Sequence, residues 1–525
     1  MADKFILSID LGTSGPKVAL FSTQGELLGS EFEETHLTLL ENGGAEQSPG
    51  EWWTAIDKAV KRLLSRGLAQ NNDIVAIATT GQWSGTVAVD EAGTPLWPGI
   101  IWMDSRGAPY IREMCGGGLA LQGYNVLKLF EWIRKTGGIP GKAGKDPTAH
   151  ILYLKHVHPE IYQRTHKFLE PMDYIGMRLT GRIAASFNSI ALHWLADIRK
   201  ISAVTYDGSL LKHSTIERSK LPDLQPANSI LGSLQAEVAR EWGLREQVQV
   251  VMGSPDVQSA AVGSGAVNDF ESHLYIGTSS WLTCHVPRKK TDIFHNIASL
   301  PSGIPGRYLL TNEQECAGVC LQFLRDNILF HKDELPCGDK PGNAYQVFDQ
   351  IAARTPAGSG RVIFLPWLYG ERAPIDDESV RGGFYNQSLE TNREHMIRAV
   401  FEGVAFNSRW ILKYVEQFNG RPAEAINMVG GGAKSEIWCQ IHADVLDRPI
   451  RQMKDPIEVN VRGAALLASA ALGYLRYDEI GARVPVANTY LPKPANRKLY
   501  DELFSEFVAI YENNRKIYAR LNRVA

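Results

Sequence analysis

A chain of 525 residues with 44% apolar and 22% charged side chains has the balance of a soluble globular protein, which excludes disorder, fibres and membrane spans. Its 55 basic and 58 acidic residues nearly cancel to a formal charge of -3, with no long Lys/Arg run, which excludes nucleic acid as a partner. A single apolar core rarely grows past roughly 250 to 300 residues, so two large domains with a cleft between them are expected.

The N-terminus enters directly on an apolar run, Phe5 to Ile9, too brief for a signal or anchor segment, and a cytoplasmic protein is expected. FILSID reads as a strand ending in Asp10, followed by the turn-rich LGTSGP and a second strand, Lys17 to Ser22, together a β-hairpin. Its loop gathers backbone N–H groups and the hydroxyls of Thr13 and Ser14 beside one carboxylate, which suits phosphate and metal chemistry, although such turns also merely join strands. Residues 51 to 66 place Trp53, Ile56, Val60 and Leu63 at helical spacing, and Ile74 to Thr80 returns to a buried-strand pattern. The triplet Gly116 to Gly118 follows no strand and reads as a flexible loop.

The same grammar returns in the second half. VQVVM (248–252) precedes HLYIGTS (273–279), which turns into WLTCHV (281–286), so that Gly277, Thr278 and Ser279 repeat the tripeptide Gly12, Thr13 and Ser14 between two apolar runs. Six cysteines lack paired metal or redox spacing and read as reduced thiols; Cys316 and Cys320, four apart, read as small apolar packing residues of a helix. An amphipathic stretch from Glu394 to Phe418 predicts a long core helix. AINMV (425–429) then runs into Gly430 to Ser435 before a further helical pattern, a strand-to-helix turn that lets a nucleotide approach the backbone.

Ten blocks in order resemble the FGGY carbohydrate kinases: DLGTSGPKVALF (10–21), EQSPGEWW (46–53), GQWSG (81–85), IWMDSRG (101–107), PEIYQRTHKFLEPMDYIGMRLTG (159–181), SPDVQSAAVGSG (254–265), YIGTSSW (275–281), FLPWLYGERAP (364–374), REHMIRAVFEGVAF (393–406) and GGGAKSEIWCQIHADVLDRPI (430–450). The resemblance implies an α/β architecture of duplicated ribonuclease H-like, actin-like domains, here residues 1–250 and 251–525, with ATP between the lobes and the sugar held mainly by the first. It also implies that Gly12, Thr13, Ser14, Lys17, Gly277, Thr278 and Ser279 flank the phosphates and that Gly431, Gly432, Ala433 and Lys434 lie near the adenosine. By the same carry-over Asp256, followed seven residues later by Gly263, is the general base, and Asp10 with Asp256 positions Mg2+. A sugar hydroxyl is a poor nucleophile and needs an in-line phosphate and a proton acceptor, for which an aspartate with an ordinary pKa near 3.9, ionised at neutral pH, is suited.

For the sugar, the resemblance points to Gln82, Trp83, Ser84, Asp104 and Arg106, with Asp256 at the reacting hydroxyl. GQWSG keeps Gln82 and both glycines of the GQMHG block of xylulose kinases but has Trp83 and Ser84 for Met-His. Trp83 either stacks on a sugar face or packs; Asp104 either touches substrate, with Arg106 orienting it, or the two bridge one another. His150 stands where the family expects Lys, Asn386 where it expects Gly, and a stretch around 116–146 looks inserted. The expected activity is phosphorylation of a ketopentose, D-xylulose to its 5-phosphate. Ribulose, sedoheptulose, glycerol or erythritol stand as alternatives within the family, and an actin-like or chaperone-like ATPase outside it. The sugar and ATP are the expected partners, with no membrane, and a homodimer is left open.

Overall fold

The computed structural model describes residues 4–334 and 341–522. The N-terminal hairpin forms as expected from β1 (Phe5–Gly12) and β2 (Gly15–Ser22), and β3 (Leu27–Phe32) extends it. Ile6, Leu7, Ile9 and Leu11 of β1 are all fully buried, the continuous apolar run of a strand covered on both faces. Helix α1 (Pro49–Ser65) starts where the Ser48 side chain accepts from the Glu51 N–H and Pro49 presets the first turn; its three-and-four spacing buries Trp52, Ile56, Val60 and Leu63. Strand β4 (Ile74–Gly81) then lies parallel to β1.

The first sheet is completed by β5 (Ile230–Ser233), β6 (Gln249–Val251) and the short β7 (Ser254–Pro255), which pairs with the far end of β4. Its spatial order is β5–β6–β4–β1–β2–β3. After helix α2 (Asp256–Gly263), the second half repeats this plan with β8 (Ser272–Ile276), β9 (Ser280–Val286), β10 (Ile297–Pro301) and β11 (Tyr308–Thr311). There follow α3 (Arg393–Asn419), β12 (Ile426–Val429), α4 (Glu436–Leu446), β13 (Ile450–Met453), α5 (Val459–Ala471) and β14 (Val486–Tyr490).

The order β14–β13–β12–β8–β9–β11 reproduces the first sheet strand for strand. Strands β8, β9 and β11 are antiparallel, β12 and β13 run parallel to β8, and β14 returns antiparallel, as in the first half. The duplicated α/β architecture implied by the family resemblance is therefore present as topology.

Two segments tie the halves together. Val461, Ala464, Ala465 and Ala468 of α5 pack on Ile6, Ala19, Phe21 and Ala76 of the first sheet, small side chains that let helix and sheet approach closely. Conversely Ala185, Ile190, Ala196, Ile198 and Val204 belong to the core of the second half, with Leu274, Leu282 and Leu310. Cys316 and Cys320 are buried packing residues, Cys320 on a helix at Gly318–Phe323; Cys115, Cys284 and Cys439 are likewise free and buried, and Cys337 lies outside the described residues. Asn386 adopts φ +64°, a left-handed conformation that asparagine tolerates better than most residues, which explains how it replaces an expected glycine. No helix among the described residues is long and apolar enough to cross a membrane.

Candidate active site

Strand register assembles the acidic centre. Asp10 of β1 is opposite Thr80 of β4, and Thr80 is opposite Ser254 of β7, so the carboxyl ends of three adjacent parallel strands deliver Asp10, Gln82 and Asp256 to one edge of the sheet. Ligands of open α/β sheets gather at such edges. Asp256 is the first residue of α2, and its Oδ1 accepts from the Val257 N–H at 2.7 Å. Burial, reinforced by the negative charges of Asp10 and Glu313, raises its pKa to about 8. The expected ordinary pKa near 3.9 is thus corrected: desolvation beside a second carboxylate outweighs the favourable first turn of a helix.

Burial also raises Asp10, with Lys17 and a hydrogen bond from Asn460 Nδ2 to Oδ2 at 3.1 Å opposing the rise. Its Oδ1 is buried without a partner. Lys17, opposite Asp10 in the hairpin, donates to the Ile457 carbonyl at 2.6 Å and lies 3.4 Å from Glu458, so its ammonium is already engaged at the start of α5.

The two GTS turns differ in their support. The Thr13 hydroxyl donates to Gln82 Oε1 at 3.3 Å and accepts from Trp102 Nε1 at 3.0 Å, while its carbonyl accepts from Gln47 Nε2 at 2.8 Å. Gln82 in turn donates to Gln47 Oε1 at 2.8 Å, so the first turn is locked to the floor of the first lobe. The second turn docks on a helix: the N–H of Gly318 donates to the Gly277 carbonyl and that of Ala317 to the Thr278 carbonyl, both at 2.8 Å. A Cβ on Gly318 would lie 2.5 Å from that Gly277 oxygen, so only glycine permits the approach. Tyr275 and Trp281 flank this turn as a stacked pair with centroids 4.1 Å apart.

In the third glycine segment, Gly430 (φ +86°) and Gly432 press against Ile276, whereas Gly431 has open space where a Cβ would stand. Lys434 is exposed beside it. Ala433 is fully buried and its carbonyl accepts from Gln452 Nε2 at 2.7 Å, so of the four expected adenosine residues it offers no side-chain surface.

The sugar-side residues make many of their bonds inside the protein. Asp104 is 1% exposed; Oδ1 accepts from the Arg106 N–H, and Oδ2 from Ala45 N–H and Arg106 Nε. Arg106 completes its set on Tyr153 and Glu46. The two bridge one another, one of the two readings the sequence left open, and Oδ1 keeps a further acceptor site. Trp83 donates to the Ser189 carbonyl at 2.7 Å and its ring joins the second-half core, the packing alternative. Ser84, held at φ +66°, donates to the Lys145 carbonyl at 2.8 Å, so its hydroxyl anchors the 116–146 stretch. His150 is buried against Thr86, 3.2 Å from its hydroxyl, and burial lowers its pKa to about 4, so it is neutral.

Residues 5–263 match the N-terminal domain, and residues 274–472 the C-terminal domain, of the FGGY family of carbohydrate kinases. The chain belongs to that family. It is 27% identical over 530 residues to a xylulose kinase of Staphylococcus epidermidis, covering 99% of each chain. Among solved structures, the gluconate kinase from Lactobacillus acidophilus superposes with a TM-score of 0.86 at 26% identity, over 99% of this chain and 100% of that one. The ligand-bound xylulose kinase from the same organism gives 0.85 at 26% identity, with the same coverage. The protein is therefore a carbohydrate kinase, a phosphotransferase that takes ATP as co-substrate, which sets aside the chaperone-like alternative.

For this kinase, several site residues escaped the motif reading. Gln47 lay inside a quoted block without a role, although its position in EQSPGEWW signalled it. Arg372, ion-paired to Glu313 and at 2.8 Å to Glu315, lay inside FLPWLYGERAP. Asn460 and Glu458 had no local signal, because their partners Asp10 and Lys17 are more than four hundred residues away.

Proposed function

We propose that this kinase transfers the γ-phosphate of ATP to D-xylulose, giving D-xylulose 5-phosphate, with Asp256 as general base. The observation that carries this reading is the position of Asp256 beside Asp10 at the carboxyl edge of the first sheet. An oxygen lone pair of the C5 hydroxyl attacks the γ-phosphorus, the bond to the β–γ bridging oxygen breaks, ADP departs, and the hydroxyl proton passes to Asp256. A carboxylate raised to about 8 is a stronger acceptor than an ordinary one, at the cost of being largely protonated below that pH.

Residues 1–250 carry the sugar and the first phosphate turn in this reading, and 251–525 the base, the second turn and the adenosine segment. A Mg2+ ion fits Asp10: the buried, unpartnered Oδ1 offers one hard oxygen. Among the described residues no group of three or more His, Cys, Asp or Glu is arranged to hold a metal, so the remaining ligands come from phosphate oxygens and water. When bound there, Mg2+ supplies neutralisation of the charge on the transferring phosphate.

The D-xylulose assignment draws on the xylulose kinases matched along the full chain. The structural likeness to a gluconate kinase supports D-gluconate as a second reading. A coupled ADP-release assay with D-xylulose, D-ribulose, sedoheptulose, glycerol, erythritol and D-gluconate tests it: D-xylulose should give the highest kcat/KM, and a higher value for any other substrate overturns the sugar assignment.

A further inference from the structure

We propose that Asp146, which ends the 116–146 stretch, accepts hydrogen bonds from the sugar hydroxyls remote from the transferred phosphate and selects neutral sugars against aldonic acids. The proposal rests on the sugar-kinase reading above. Lys145 is tied to the substrate loop by the Ser84 hydroxyl at 2.8 Å, and Asp146 Oδ2 accepts from the Gly141 N–H at 2.5 Å, which folds the end of the stretch against that loop. Asp146 precedes the helix Pro147–Val157, yet its side chain caps none of that helix's N–H groups. The carboxylate is spent neither on the helix nor on an ion pair among the described residues.

The surroundings are unusual for a protein interior. The Trp194 indole N–H lies beside the Asp146 carboxylate and is buried without a good hydrogen bond. His193, 1% exposed, has both ring nitrogens unpartnered, and Glu170 Oε1 faces its Nε2 at 3.4 Å without completing a bond. Each such buried group is costly if left unsatisfied. These polar groups lie around the Asp146 carboxylate, so its neighbourhood is polar rather than apolar. The Gly141 N–H and the Trp194 indole hold Asp146, which is partly open to solvent and is the group that touches the sugar.

Asp146 feels the Arg372 guanidinium, Arg372 is paired with Glu313, and Glu313 adds to the raised pKa of Asp256. Arg372 is already paired with Glu313 and Glu315. The Lys145 ammonium lies over the exposed Tyr369 ring at 5.7 Å. A hydroxyl at the remote carbon can donate to Asp146, whereas an aldonate's carboxylate at that carbon is repelled by it.

The test compares D-xylulose, 1-deoxy-D-xylulose, which lacks the remote hydroxyl, and D-gluconate on the wild type, Asp146→Ala and Asp146→Asn, with KM for ATP and Tm recorded. If another sugar of the panel is the substrate, its analogue deoxygenated at the remote carbon is used. The wild type should prefer the hydroxylated sugar over its deoxy analogue by roughly 10- to 100-fold in kcat/KM, the worth of one hydrogen bond to a charged group. Asp146→Ala should raise the sugar KM by a similar factor, abolish that preference and leave KM for ATP and Tm near wild type; Asp146→Asn, which keeps an acceptor oxygen, should recover part of it. A variant that keeps the wild-type preference, or a wild type that prefers D-gluconate, overturns the assignment of Asp146 while the kinase reading stands. A wild type inactive on every neutral sugar overturns both.

Discussion

A Cβ added to Gly463 would sit 1.8 Å from the Ser259 carbonyl oxygen, and one added to Gly263 would sit 1.9 Å from that of Val459. Helices α2 and α5 therefore cross backbone against backbone. Asp256 opens the first of these helices and Asn460, which holds Asp10, lies in the first turn of the second. The crossing thus fixes the two carboxylates relative to each other. Gly463→Ala should push the helices apart, destabilise by about 1–3 kcal/mol and lower Tm by several degrees, with kcat falling as the carboxylates separate. Calorimetry and steady-state kinetics check this; an unchanged Tm together with an unchanged kcat would mean the contact tolerates a methyl group.

Asp256 also sets a pH-dependent stability. Its folded pKa, about 8, lies above the ordinary value of 3.8, so between these limits the folded chain holds a proton that the unfolded chain has released. Stability contributed by this group is therefore fully present at low pH and declines as pH rises from about 4 to 8. Asp256→Asn removes the penalty, and its Tm should exceed that of the wild type at pH 8 by more than it does at pH 5. Equal differences at both pH values would contradict a buried, proton-retaining carboxylate.

Asp10 acts on Asp256 through charge. Removing that charge in Asp10→Asn should lower the pKa of Asp256, moving the rising limb of the pH–rate profile toward lower pH, while the Mg2+ concentration for half-maximal rate increases. The two shifts are read from one grid of pH and Mg2+. A limb that stays in place would separate the carboxylates electrostatically.

Trp83→Phe separates packing from sugar contact. The variant loses the bond to the Ser189 carbonyl and leaves that buried oxygen short of a donor, which should cost about 1–3 kcal/mol in stability with the sugar KM unchanged within about twofold. A tenfold rise in KM with normal Tm would restore Trp83 to the sugar site.

What the sequence made legible follows from how locally each feature is encoded. The hairpin, the Gly277 to Ser279 echo, the long helix α3 and the glycine turn at 430 are dictated by short patterns of apolar period and turn residues, and they appear within a residue or two of where those patterns place them. The bonds of Asp104 and Arg106 to Ala45 and Glu46 were not legible, because a WMDSRG motif is equally compatible with a sugar contact and an internal bridge, and those partners come from a distant segment. The pKa of Asp256 was hidden for a similar reason: motif logic supplies the residue but not the desolvation, which depends on Asp10 and Glu313 from distant segments. Asn460 acts through Asp10, a partner that only the folded chain brings near.

Single-turnover phosphoryl transfer by Asp256→Asn, followed by rapid quench at pH 8 with saturating ATP, Mg2+ and D-xylulose, bears most directly on the base. The rate should fall by roughly 10² to 10⁴ while sugar binding, measured by calorimetry, is retained. A rate close to wild type would contradict the assignment of Asp256 as the proton acceptor.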